Sequence, residues 1–232
     1  MAWTGNSPNL SISRFSKSSN SSLDLVDDSS LYKFNLSDKG ISDYEEFIKK
    51  YKVHNEQLWD LYRVNKISQK NLRRERFQRT LSDYNIIDPI LSEKIGEDYV
   101  DICPKKNKLF PYTIEVLEYL SEKYNLHIIT NGFEKVQHIK LKYSNLEKYF
   151  DKIITSEQVG VKKPNPKIFE FALSQAKATA EECIYIGDDL TVDILGCQNY
   201  GIDGVYFNPE KISHQENRAY EISCLSQLRD LF

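Results

Sequence analysis

The chain lacks the marks of a secreted, membrane-bound or nucleic-acid-binding protein. Its four cysteines, Cys103, Cys183, Cys197 and Cys224, are far apart and form no C-x-x-C pair, which argues against a zinc site and against a disulfide framework. They read as reduced thiols, and the expected compartment is cytoplasmic. No apolar run has the length needed to cross a bilayer, and no basic stretch followed by an apolar one opens the chain. Positive charge is not in excess: 31 Lys and Arg stand against 34 Asp and Glu, for a net charge of -3. With the basic residues scattered, neither nucleic acid nor a membrane surface is expected as the main partner. What remains, 232 residues of which 40% are hydrophobic and 28% charged, suits a globular protein of one large or two small domains.

Three textures follow one another along the chain. Residues 1 to 34 are rich in serine and asparagine (Ser16, Ser18, Ser19, Asn20, Ser21, Ser22), and only Leu10 and Ile12 hint at strand alternation. This segment is expected to be irregular. From Ser42 the spacing becomes amphipathic. Ser42 and Glu45 form a capping box before Phe47, Ile48 and Tyr51; Leu58, Leu61 and Tyr62 continue the pattern; Leu72, Phe77 and Leu81 follow Ser68; and Asp88 with Pro89 opens a fourth helix. Residues 38 to 107 are therefore expected to form a four-helix unit.

From 108 to 232 helices and strands alternate. Leu126 to Ile129, Ile153 with Ile154, Ile184 to Ile186 and Val205 to Phe207 read as buried strands, separated by helices marked by Ile114, Val136 and Pro166, with a last helix over Cys224 to Leu231. This alternation predicts an α/β fold with a doubly wound, Rossmann-like parallel sheet. Any active site should lie at the carboxyl ends of its strands.

Three groups of polar residues fall at such ends. In CIYIGDDLTVDILG, Gly187 turns the chain and Asp188, Asp189 and Asp193 follow, so that up to three carboxylates can face one point. A single acid there is most simply a helix cap, but the trio suits a hard cation, Mg2+ before Ca2+ where a phosphate is also held. GDD is also a signature of viral RNA polymerases, which need a longer chain and a hairpin at that point. In IITNG, Thr130 ends a strand, and Asn131 and Gly132 permit a turn whose N–H groups can cradle a phosphate; alone, it would be a plain turn. In VKKPNPKIF, Lys163 precedes Pro164, which restricts its backbone and gives its side chain a defined exit. A hydroxyl, an ammonium and a set of acids are the parts needed to hold a phosphoryl group beside a metal ion.

Thr130, Lys163 and the Gly187, Asp188, Asp193 group resemble motifs two, three and four of the haloacid dehalogenase-like (HAD) hydrolase superfamily. The helical segment ahead of them resembles the cap of subfamily I, and the wording is similar to the pyrimidine 5'-nucleotidase (YjjG-type) branch. The resemblance implies a Mg2+-dependent phosphohydrolase that works through an aspartyl-phosphate and acts on a small phosphate monoester, a nucleoside 5'-monophosphate first among them. It implies phosphate binding by Thr130, Asn131, Gly132 and Lys163, and metal binding by Asp188 and Asp193, the latter supporting the metal or Lys163. Asp189 fits as a cap. Tyr112 stands where relatives have a small residue after proline.

The first motif, an apolar strand followed by D-x-D-x-T, is not present, and the nucleophile is unassigned. The nearest stretch, LDLVDDSS, spaces Asp24, Asp27 and Asp28 differently and follows no buried strand. The central strand of the sheet is accordingly expected to be missing or abnormal. Two explanations stay open: a reading-frame change upstream of Leu31, or a variant that has lost catalysis. The rival functions are a non-catalytic phosphate- and metal-binding protein and a receiver-like phosphoacceptor; the helical insertion and the order Thr, Lys, Asp count against the second.

Overall fold

Among the described residues, six short segments hydrogen-bond side by side, every pairing parallel, into one sheet: β1 (Asn9–Ile12), β2 (Asn125–Thr130), β3 (Lys152–Thr155), β4 (Cys183–Gly187), β5 (Asp203–Phe207) and β6 (Tyr220–Ile222). The computed structural model describes residues 9–12, 36–106, 108–216 and 220–232. These fall into two units, one of 9–12 with 108–232 and the other of 36–106. The strand order is β3-β2-β1-β4-β5-β6, so the direction of winding reverses at β1, and the carboxyl ends beside it form the crevice where such sheets take ligands.

The first strand is present. Leu10 is fully buried and lies in register with Leu126 and Ile184, and the polar residue at the strand's start is satisfied because His127 Nε2 donates to Asn9 Oδ1 at 3.0 Å. Burial pushes the His127 imidazole below its ordinary pKa. The irregular reading of residues 1 to 34 is thus corrected at 9–12, where a paired Asn and one deeply buried Leu let a short, polar sequence fill a slot that is usually apolar throughout. The rest of that segment, including LDLVDDSS, lies outside the described residues.

Alternation along the strands sends side chains to both faces. Leu10, Leu126, Ile128, Ile186 and Val205 meet Val116, Leu117 and Leu120 and the C-terminal Leu225 and Leu228. Ile129, Ile154 and Tyr185 meet Ile168, Phe169, Ala172 and Cys197 on the other face. The covering helices are α4 (Thr113–Ser121), α5 (Glu134–Tyr143), α6 (Ser156–Val159), α7 (Pro166–Ala176), α8 (Gly196–Tyr200) and α9 (Leu228–Leu231). The expected last helix over Cys224 to Leu231 begins instead as a 3-10 turn, Leu225–Gln227, and β6 was not anticipated. At the entrance to α4, Tyr112 has a left-handed φ of 65°, a conformation that glycine adopts with less strain.

The second unit has three long helices rather than four: α1 (Tyr44–Arg63), α2 (Gln69–Ser82) and α3 (Pro89–Ile102). The stretch from 44 to 63 contains no Gly or Pro, so the two amphipathic runs at Phe47 and Leu58 join into one helix. Its cap is Asp43, which accepts from Glu46 N at 3.0 Å, and not Ser42. Ser68 and Asp88 cap the other two. The tyrosines pack: Tyr51 stacks on Phe77 with ring centroids 5.2 Å apart, and Tyr99 meets Phe77 edge-on at 5.6 Å. Among the described residues no helix is long and apolar enough to cross a membrane.

The position of β1 can be tested directly. Leu10→Ala should lower unfolding free energy by about 2–5 kcal/mol, the range for a Leu truncated in a close-packed core, as read from urea titrations. A loss below about 1 kcal/mol would place another segment between β2 and β4.

Candidate active site

β2 and β4 end at the same edge of the sheet, and the loop after α6 brings Lys163 to them. Lys163 is 4% exposed, and its ammonium donates to Asp193 Oδ1 at 2.6 Å, to the Tyr185 hydroxyl at 2.9 Å and to the Ile129 carbonyl at 3.1 Å. Ile129 is the residue before Thr130, so the ammonium sits at the root of the second motif. The loop is fixed from β2 as well. The Asn131 side chain accepts from Lys163 N at 2.8 Å and donates to Lys163 O at 3.0 Å, bracketing that residue in both directions. The Lys163–Pro164 peptide is cis.

Asp193 reaches Lys163 through an unusual turn. After Gly187 the chain enters a π-helical turn, Leu190–Leu195, in which Ile194 N donates to Asp189 O, five residues back, at 3.2 Å. Asp189 caps it, accepting from Thr191 N at 3.1 Å and Val192 N at 2.9 Å. Asp193 is 3% exposed and packs on Gly187, where an added Cβ would lie 2.7 Å from Asp193 Oδ2. A second glycine has the same function further on: a Cβ on Gly196 would lie 2.9 Å from Pro164 Cβ, so only glycine allows α8 to approach the lysine loop this closely. Asp188, which follows Gly187, is half-buried; burial raises the nearby Tyr206 phenol, and the charges of Glu221, Asp188 and Asp189 add to that shift.

Thr130 is nearly buried at the end of β2, and its Oγ1 accepts from Gly132 N at 2.9 Å. The N–H of Gly132 is thereby given to the threonine, and the hydroxyl hydrogen of Thr130 is left to donate to an anion. Thr130, Asn131, Lys163, Asp188 and Asp193 therefore share one edge of the first unit. Buried thiols take no part: burial raises Cys183 to about 11 and Cys197 to about 12.

A model of the haloacid dehalogenase-like hydrolase family matches residues 23–207. The chain belongs to that family. It is 32% identical over 184 residues to pyrimidine 5'-nucleotidase YjjG of Escherichia coli, covering 78% of this chain and 80% of that one. It is 30% identical over 203 residues to pyrimidine 5'-nucleotidase PynA of Streptococcus pneumoniae, covering 84% and 83%. Among solved structures, that of the HAD-hydrolase YfnB of Bacillus subtilis, bound to magnesium, has a TM-score of 0.80 at 24% identity over 98% of this chain and 99% of that one; at this identity the likeness concerns the fold.

Tyr185 is a contributor to this HAD edge that the sequence reading does not mark as a site residue, and Asn131, expected here as a phosphate-binding turn residue, has a further part. Tyr185 was counted as an apolar strand residue, although a hydroxyl between two isoleucines two residues before a GDD turn was a visible signal. Asn131 is expected as a turn residue that binds phosphate; its amide also holds the lysine loop, a contact that only tertiary structure reveals. Among the described residues no three His, Cys, Asp or Glu side chains gather as a metal-binding group.

Gly187 gives the sharpest test of this geometry. Gly187→Ala should cost about 1–3 kcal/mol of stability, as overpacking does where the neighbour is a held side chain, and lower Tm accordingly. A cost below about 0.5 kcal/mol would mean that Asp193 is not pressed against β4.

Proposed function

We propose that this HAD-family chain handles small phosphate monoesters, nucleoside 5'-monophosphates first among them, at the carboxyl edge of β2 and β4 with Mg2+. The observation that carries the reading is the buried ammonium of Lys163, fixed at the root of Thr130 beside Asp193. Thr130 would donate its hydroxyl hydrogen to a phosphate oxygen, and Lys163 would neutralise the phosphate charge. Both groups are preorganised, so binding costs little ordering. The nucleotidase names of two relatives at 30% identity or more support the choice of substrate class.

Mg2+ is commonly held by one or two carboxylates together with water and phosphate oxygens. Asp188, half-buried at the end of β4, suits that role; Asp189 is engaged as a cap, and Asp193 is directed to Lys163 and so acts as its positioning partner. The ion would supply charge neutralisation of the bound phosphate.

One observation favours a second reading, a phosphate-binding protein with little or no turnover. The residues that follow β1 in sequence are Ser13, Arg14, Phe15 and Ser16, and the first carboxylate is Asp24, twelve residues beyond Ile12. A covalent phosphatase needs a carboxylate in line with phosphorus. The family match begins at Leu23 and includes LDLVDDSS, so Asp24 is the acid to test.

The assay is phosphate release from p-nitrophenyl phosphate and nucleoside monophosphates with Mg2+. Turnover near background is expected, rising when residues 1 to 30 are replaced by an apolar strand ending in D-x-D-x-T. In calorimetry, Asp188→Asn should weaken Mg2+ binding at least about ten-fold. Unchanged Mg2+ binding removes the metal assignment. Robust turnover that disappears with Asp24→Asn would make LDLVDDSS a working first motif and exclude the second reading.

A further inference from the structure

An ammonium has three hydrogens, and at Lys163 all three have partners: Asp193 Oδ1, the Tyr185 hydroxyl and the Ile129 carbonyl. The surroundings are dry, with Tyr185 fully buried and Lys163 and Asp193 nearly so. To donate a hydrogen bond to a phosphate oxygen, Lys163 must therefore release one of the three. Asp193 is the charged partner and the shortest contact, and Ile129 O belongs to the strand backbone. The phenol is the neutral side-chain acceptor and the one most readily exchanged for an anion. It cannot swing aside to make room, because its ring packs edge-on against Phe169 with centroids 5.7 Å apart.

We propose that Tyr185 is a positioning residue that occupies the third donor of Lys163 and so keeps the affinity of the site for phosphate low. The inference rests on the phosphate-binding reading given above. Removing the hydroxyl leaves Lys163 with an unpaired N–H in a dry interior, and an unpaired buried donor favours any anion that reaches it. Weak phosphate binding suits a site that must let inorganic phosphate go. A merely structural tyrosine predicts the opposite: its loss would loosen the edge and weaken binding.

The test is calorimetric titration of the full chain with inorganic phosphate in the presence of Mg2+, for the unsubstituted chain, Tyr185→Phe, Lys163→Met and the double variant. Tyr185→Phe keeps the ring and its contact with Phe169, and Tyr185→Leu serves if that variant does not fold. Tyr185→Phe should bind phosphate about 3- to 10-fold more tightly, the ratio that corresponds to one hydrogen bond. Lys163→Met should bind it at least about ten-fold more weakly, the loss of a charged donor, and adding Tyr185→Phe to that background should change nothing. If Tyr185→Phe leaves affinity unchanged or weaker while Lys163→Met still weakens it, the role of Tyr185 is overturned and the phosphate site stands. If Lys163→Met has no effect, or if no variant binds phosphate, the phosphate site itself is overturned.

Discussion

The buried ion pair between Lys163 and Asp193 is the constraint around which this edge of the sheet is built. Removing two charges from water costs several kcal/mol per ion, and mutual attraction offsets that only when the remaining hydrogens and lone pairs are also satisfied. The local sequence supplies those conditions one by one. Tyr185 and Ile129 take the other hydrogens of the ammonium, and Asp189 N approaches the second oxygen of Asp193 at 3.4 Å. Gly187 lets Asp193 come against β4, Gly196 lets the following helix come against Pro164, and Asn131 holds the lysine backbone. None of these residues can be changed without touching the pair.

How much of this could be read from sequence depended on whether a residue's role is local. Lys163, in a loop beyond a strand, is marked by the proline after it; the places of Thr130 and Asp188 were legible because strand ends are, and strand ends follow from short apolar runs that stop at Gly or a polar residue. The cap formed by Asp189 was legible for the same reason. The contacts that Asn131 and Tyr185 make with Lys163 were not, because each acts on a residue at least 22 positions away, and nothing in its own neighbourhood requires that contact. In the helical unit the error was one of counting: two amphipathic runs were separated although no breaker lies between them, and one 20-residue helix carries both.

β1 shows where composition misleads. Asn9 and Ser11 make the segment look irregular, and a central parallel strand is normally apolar throughout. A polar group in that slot is destabilising only when unpaired, and Asn9 is paired with His127. The fully buried Leu10, in register with Leu126 and Ile184, then supplies the packing that the strand contributes.

Fold and chemistry therefore make separate demands on the start of this chain. The sheet asks only that a strand stand between β2 and β4 and bury a residue such as Leu10, which four residues accomplish. Covalent catalysis asks in addition for a carboxylate at the strand's end, held in line with phosphorus, and positioning of that kind contributes much of the rate. The proposed phosphate site draws on a different set, Thr130 and Lys163, with Asp188 as its proposed metal ligand, carried by β2, the loop before α7 and β4. A HAD chain can consequently keep its sheet and the hydrogen-bonded edge around Lys163 intact while the first motif changes, since neither the Lys163–Asp193 pair nor the Asn131 bracket includes a residue of β1.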